Sequence, residues 1–420
     1  MLQRLESAVD AASIGLYRVA FGLLMFAGVI RFWLNGWIEA LYIQPSMHFT
    51  YYGFAWVRPL PAAGMYAVFA AMAVAALLVA AGVYYRLAMA AFFLLFTYVE
   101  LIDAANYLNH YYLVSLIAFL GIFLPLDRAF TLKRRDGPAQ VPGWVLWTLR
   151  LQVGLVYFFA GVAKLDAEWL FDAQPLTIWF AANSDLPVIG PMLVWSWVPY
   201  VASWGAAFFD LTIVGWLLWR RSRPYAFAVV VVFHVLTIAM FNLGLFPWLM
   251  VVNATLFFAP SWPRRVKPPV RRDTRARVPV GLLGVYFAVQ LAMPLRHHLY
   301  PGDAGRTEEA SRFAWRVMLK EKAGFVVFHV TDDTGRRWEA YPRDYLSEIQ
   351  TKMFATEPDM IRQLARHIRD DFTARGLTGV EVRAEAYVST HGRPSAPLVD
   401  PTTDLASARD GLSPRDWILR

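Results

Sequence analysis

Nine long apolar stretches limit what this chain can fold into. They cover roughly residues 14–34, 64–83, 87–102, 110–125, 144–165, 200–219, 225–241, 245–258 and 279–295. About 20 apolar residues in a row form one helical crossing of a bilayer. In hydrocarbon every backbone polar group must be paired, and a helix does this within a single segment. The eighth stretch is short for a crossing, so eight or nine spans are expected. With 57% hydrophobic residues and a mean hydropathy of +0.39, the chain groups with polytopic membrane proteins. Glu6 and Asp10 precede the first stretch and no A-x-A site follows it, so it reads as a retained span. The expected fold is an all-α polytopic bundle over residues 1–295 that carries the functional pocket. A small C-terminal α+β extramembrane domain over residues 296–420 is expected to follow it.

The loops give an orientation. With a cytoplasmic N-terminus, the inner loops hold Arg4, Arg86, Arg128, Lys133, Arg134, Arg135, Arg220, Arg221, Arg223, Arg264, Arg265, Lys267, Arg271, Arg272, Arg275 and Arg277. The outer loops hold only Arg58. This asymmetry follows the positive-inside rule and sends the residues after 295 to the periplasmic, extracellular or lumenal side. The net charge of +8 does not suggest nucleic acid as a partner, because the basic residues lie in short clusters between spans. Tryptophan and tyrosine concentrated in 33–57 and 191–204 read as outer interfacial belts. The chain has no cysteine, so disulfides, thiolate chemistry and Cys-ligated metals are excluded. Nor is there an HExxH or paired-carboxylate motif, and adjacent His297 and His298 do not present one face to an ion; no metal is expected.

From residue 296 onward charged residues become frequent. FVVFHVT, DDTG and RRWEAY read as a β-hairpin around an Asp/Gly turn. Residues 345–372 repeat apolar side chains at helical spacing with a break near Pro358, and EVRAEAYVST reads as a further strand.

A charge at the centre of a spanning helix costs roughly 2.5–3.5 kcal/mol on insertion scales, so the polar groups within these stretches are informative. Glu100, Asp103, Asn106, Asn109, His110, Lys164 and Asp166 fall at the outer ends of spans, and Asp210 and His234 lie within two others. Each has a plain reading. Lys164 could snorkel to the interface, Glu100 and Asp103 could be wet, Asp210 could pair with Arg18 or Arg150, and His234 could bond a backbone carbonyl. Together they read as a polar pocket in the outer half of the bundle. Lys164 would then be a buried amine whose charged form is disfavoured, able to act as a base.

Several runs resemble the vitamin K-dependent gamma-carboxylase family, also described as the horizontally transferred transmembrane domain. They are YLNHYYL (107–113), VYFFAGVAKLDAEW (156–169), FFDLTIVGW (208–216), FHVLTIAMFNLGLFPWLM (233–250), FAWRVML (313–319) and AYVSTHGRP (386–394). The resemblance implies an integral-membrane enzyme that deprotonates a reduced vitamin K, here a menaquinol-type hydroquinone, and oxygenates it with O2 to the epoxide. A strongly basic oxygen species formed on the way removes a γ-proton of glutamate, and the carbanion captures CO2. It implies Lys164 as the catalytic base, with His110 and His234 as catalytic partners, and Asn109, Tyr157, Asp166 and Asp210 as residues that bind the quinone. Expected partners are membrane lipid and an isoprenoid quinone, a glutamyl peptide or protein, and a quinone reductase.

Lys320 matches a family position that varies, and no role is assigned to it. The animal carboxylases continue past the point matching Arg420 with a lumenal region that engages propeptide-bearing substrates. The resemblance therefore speaks more directly to the quinone half-reaction than to protein carboxylation. The alternatives are a quinone epoxidase without carboxylation, a non-catalytic transporter or lipid-binding scaffold, and an enzyme acting on another lipid or small carboxylate.

Overall fold

A computed structural model describes residues 2–132, 138–241, 243–265 and 277–420. Lys133, Arg134, Arg135, Lys267, Arg271, Arg272 and Arg275 of the predicted inner loops lie outside the described residues.

All nine apolar stretches are helical. Six are long and apolar enough to cross a membrane: α1 (Ala12–Leu34), α2 (Ala62–Ala81), α3 (Tyr85–Ile102), α5 (Gly143–Val162), α8 (Val198–Leu218) and α9 (Arg223–Met240). The fourth, eighth and ninth stretches form α4 (Asn109–Phe123), α10 (Phe246–Ala254) and α11 (Val280–Leu295), of 15, 9 and 16 residues. At about 1.5 Å per residue none of the three covers a hydrocarbon core of about 30 Å alone. Against the expectation of eight or nine spans, six helices among the described residues have spanning length.

Close helix approach is built from small residues. A side chain added at Gly22 of α1 would stand 2.6 Å from the Ala80 nitrogen of α2. One added at Gly161 of α5 would stand 2.8 Å from Leu211 of α8. A short antiparallel ladder, β1 (Ala8–Asp10) with β2 (Gln140–Pro142), brings the chain start beside the entry to α5.

The C-terminal part is an antiparallel sheet in the order β4-β3-β5-β6: β3 (Lys322–Thr331), β4 (Arg337–Ala340), β5 (Glu381–Thr390) and β6 (Ala396–Pro397). Burial alternates along β5, where Val382, Ala384, Ala386 and Val388 face the core. They share that core with Met360, Ile361, Leu364 and Ile368 of α13 (Pro358–Ala374). The predicted break at Pro358 separates α13 from α12 (Glu348–Phe354), which opens on a Ser347–Gln350 capping box.

This core also takes in Phe49, Ala104 and Ala105 from loops of the bundle, which fixes how the two parts sit together. Asp103 accepts hydrogen bonds from the Phe49 and Ala105 backbone N–H groups (3.2 and 2.9 Å) and from Gln350 Nε2 (2.8 Å). It is therefore a buried structural link, not a wet interfacial residue. Burial pushes its carboxyl up to about 6 despite these donors. Lys320 has a structural place too: its amine donates to Ala304 O and Glu308 Oε1, both at 2.9 Å.

Candidate active site at the end of helix α5

The local sequence explains why a lysine sits where it does. Helix α5 ends at Val162, and the Lys164 and Leu165 N–H groups bond back to Gly161 O and Val162 O. Asp166 is extended and its side chain accepts from the Glu168 N–H, opening α6 (Ala167–Leu170). Lys164 thus lies in the four-residue connection, 163–166, between helices, and it is only 5% exposed. Its Nζ donates to Asp210 Oδ2 of α8 at 2.9 Å, to Ala160 O at 3.3 Å and to Val317 O at 3.5 Å. Three acceptors match the three donors of an ammonium group. The Trp169 ring lies 5.3 Å from the same nitrogen. The amine therefore neither snorkels to an interface nor lies in a wholly apolar pocket: it faces a buried anion.

The pairing of Asp210 differs from both structural alternatives. Arg18 donates to Val79 O, and Arg150 donates to Leu256 O and Phe258 O. Asp210 is paired with Lys164 instead. Asp166 lies outside the cavity that Lys164 borders. It is exposed, its carboxylate caps α6, and it lines no cavity with Lys164, because the turn that buries the lysine turns Asp166 outward.

The pair borders a cavity of about 340 Å³ between α5, α8, α9 and α7 (Leu176–Ala182). Tyr157 and His234 line the same cavity. The Tyr157 hydroxyl is 3.4 Å from His234 Nε2, whereas His234 Nδ1 is buried with no hydrogen-bond partner among the described residues. Most other lining groups are apolar, and exposed Gly205 and Leu236 bring the lining to the outer surface of α8 and α9. The volume is in the range of small-molecule sites, and an orphaned ring nitrogen in an apolar cleft calls for a polar ligand.

His110 and Asn109 lie apart from Lys164. They line a second space of about 490 Å³, a vestibule between the bundle and the sheet domain. The two cavities share Leu243, Phe246, Val317 and Met318. The Phe246 ring stands between the histidines, with centroids 5.6 Å from His110 and 5.7 Å from His234. Asn109 accepts from the Tyr107 hydroxyl (3.1 Å) and donates to Arg316 O (3.4 Å).

Both sides therefore lean on the FAWRVML segment, whose Arg316 and Val317 carbonyls receive Asn109 and Lys164. Its backbone is strained: Phe313, Trp315 and Met318 all have φ between 56° and 61°. Each left-handed non-glycine residue costs on the order of 1 kcal/mol, and such strain persists where the surroundings enforce it. Here Trp315 stacks on Tyr112 with centroids 4.9 Å apart, and the Phe313 N–H donates to the Tyr107 hydroxyl at 2.8 Å. The FAWRVML run is visible in the sequence, yet the use of its carbonyls, and Phe246 as a partition, have no side-chain signature that could have revealed them.

Two family models match. The HTTM domain matches residues 7–262, and the vitamin K-dependent gamma-carboxylase lumenal domain matches residues 275–420. The chain belongs to the vitamin K-dependent gamma-carboxylase family. Membership supports a carboxylase-like membrane enzyme that uses reduced vitamin K and a glutamate-containing substrate. No solved structure matches the chain. Among the described residues no group of three or more His, Asp or Glu is arranged to hold a metal ion.

Proposed function

We propose that this gamma-carboxylase family member oxygenates a membrane hydroquinone and couples that oxidation to carboxylation of a glutamyl side chain. The observation that carries the reading is the buried Lys164–Asp210 pair on the wall of an apolar cavity whose lining reaches the outer surface of α8 and α9. In the overall reaction, hydroquinone and O2 give the epoxide and water. The glutamyl γ-carbon exchanges a C–H bond for a C–C bond to CO2, and one proton is released.

Lys164 starts the sequence by taking a phenolic proton. The ammonium–carboxylate pair and the amine–carboxylic acid pair differ only by a proton moved across 2.9 Å, and in the second form the amine has a free lone pair. Accepting the substrate's proton then leaves an ammonium beside a neutral acid, so the pair works as one base. His234, with its unpartnered Nδ1, and Tyr157 are the groups that hold the hydroquinone oxygens. The apolar walls and the exposed lining on α8 and α9 suit an isoprenoid tail lying in the bilayer. His110 and Asn109 serve the vestibule, where the acceptor approaches, and the shared wall of Phe246, Val317 and Met318 separates oxidation from carboxylation while keeping them adjacent. With the N-terminus cytoplasmic, the vestibule and the sheet domain lie on the non-cytoplasmic side.

The test is to incubate membranes carrying the protein with hydroquinone, oxygen, labelled bicarbonate and a glutamyl peptide. Epoxide together with labelled peptide is the expected result. Epoxide without label restricts the function to quinone oxidation, and the absence of both removes the proposal.

A further inference from the structure

We propose that a blind apolar chamber behind His110 is a binding site for molecular oxygen; what the gas is used for rests on the function proposed above. The chamber lies among α1, α2, α3, α4 and α10, walled mainly by Met25, Met72, Phe92, Val99, Val114 and Leu249. Over about 50 Å³ it has room for the centre of a water-sized sphere. Arg31, Phe32, His110 and Tyr111 line both this chamber and the vestibule, so His110 stands where the two meet.

The chemistry of the walls selects the occupant. A buried water needs two to four polar partners, and internal spaces lined by hydrocarbon stay dry yet accept xenon or benzene. Here five polar side chains, Arg31, Tyr42, Glu100, His110 and Tyr111, contribute to the walls, yet nearly all of the surface that faces the chamber is thioether, aliphatic and aromatic carbon. The room is several times the minimum for one small molecule but far short of a ring with a tail. Molecular oxygen has no dipole, makes no hydrogen bonds and dissolves in the bilayer around the bundle. It can therefore occupy the chamber without a desolvation cost and leave it past His110, whose ring packs on Phe246 in the wall that the vestibule shares with the quinone cavity. Packed protein interiors seldom leave voids larger than a water, so a chamber that opens onto a candidate catalytic histidine is a specific feature of this bundle.

The experiment reads oxygen directly. Protein labelled with 13C at methionine methyls, in lipid nanodiscs, is equilibrated at increasing oxygen pressure, and paramagnetic relaxation of each methyl is measured. Met25 and Met72 line the chamber; Met65, fully buried in the same core, does not and serves as the reference. Relaxation of Met25 and Met72 should rise with oxygen pressure at several times the slope of Met65. Val114→Phe and Val99→Phe, from different helices, should each return those slopes to the reference level. In the epoxide assay both should raise KM for oxygen by about threefold or more, with KM for hydroquinone unmoved. Equal slopes for Met25, Met72 and Met65 overturn the proposal, as does an unchanged oxygen KM in both variants. A protein that binds oxygen by relaxation yet forms no epoxide keeps the site and removes the function.

Discussion

Breaking the Lys164–Asp210 pair from either side should be costly, and removing both partners should not. At 2.9 Å and an effective dielectric constant of about 20, Coulomb's law gives roughly 6 kcal/mol of attraction between the two charges. That attraction is spent largely on desolvation, because both side chains are less than a tenth exposed. Asp210→Leu leaves a buried ammonium with only two carbonyl acceptors, and Lys164→Met leaves a buried carboxylate. Each should lower stability by about 3–5 kcal/mol, whereas Lys164→Met with Asp210→Leu should cost about 0–2 kcal/mol. The double-mutant cycle should therefore show a coupling of about 3 kcal/mol or more. Equilibrium unfolding of purified protein in mixed micelles, followed by tryptophan fluorescence, measures all four species. Single variants that each cost less than about 1 kcal/mol and add independently would refute the closed pair and the proton shared within it.

Gly161→Val should cost at least about 1–3 kcal/mol and depress epoxide formation, since its side chain would meet both the Leu211 side chain and the Leu211 backbone nitrogen at 2.9 Å or less; a variant of wild-type stability and rate would show that α5 and α8 are not packed there. Glu168→Ala removes the acceptor of Arg393 (2.6 Å), which ties α6 to the sheet domain; hydrogen exchange over residues 167–182 should quicken, and unchanged exchange would contradict the clamp. Two carboxyl groups give opposite pH signatures. Burial would raise Glu308, but the Lys320 and Lys322 ammonium groups hold it at about 2, so its stabilising share is complete above about pH 4.5 and is lost as pH falls toward 2. Asp103, raised to about 6, stabilises most below about pH 4 and loses that share as pH rises through 6. Unfolding across pH in Glu308→Gln and Asp103→Asn should flatten those windows separately, and a profile unchanged in both would count against the assignments.

The parts of the architecture that were legible before folding are those governed by periodicity and solvent. Apolar length marked the nine helices of the bundle's apolar stretches, and β-rich runs, two of them joined by an Asp/Gly turn, marked β3, β4 and β5. The break at Pro358 was legible because proline ends one helix and opens the next. Span count was less legible: the stretches at 110–125 and 279–295 were counted among the spans, yet they fold into helices of 15 and 16 residues that end at Phe123 and Leu295. Residue type singled out Lys164, His110 and His234 as candidates, since charges and imidazoles inside apolar runs are costly enough to need a reason. Partnership was not legible. Asp166, two residues from Lys164, looked closer to it than Asp210, forty-six residues away, and only the turn after α5 reverses that order. Backbone acceptors such as Val317 O carry no side-chain signal at all, so the dependence of the lysine on the sheet domain's leading segment emerges only from the fold.

The central claim, that the Lys164 amine begins hydroquinone oxidation, is tested most directly by mass spectrometry of quinone products. Membranes carrying wild-type protein or Lys164→Ala, matched for folded protein, are supplied with hydroquinone with and without oxygen. The account predicts oxygen-dependent epoxide from the wild type and none above background from the variant. Epoxide from Lys164→Ala at the wild-type rate would contradict it.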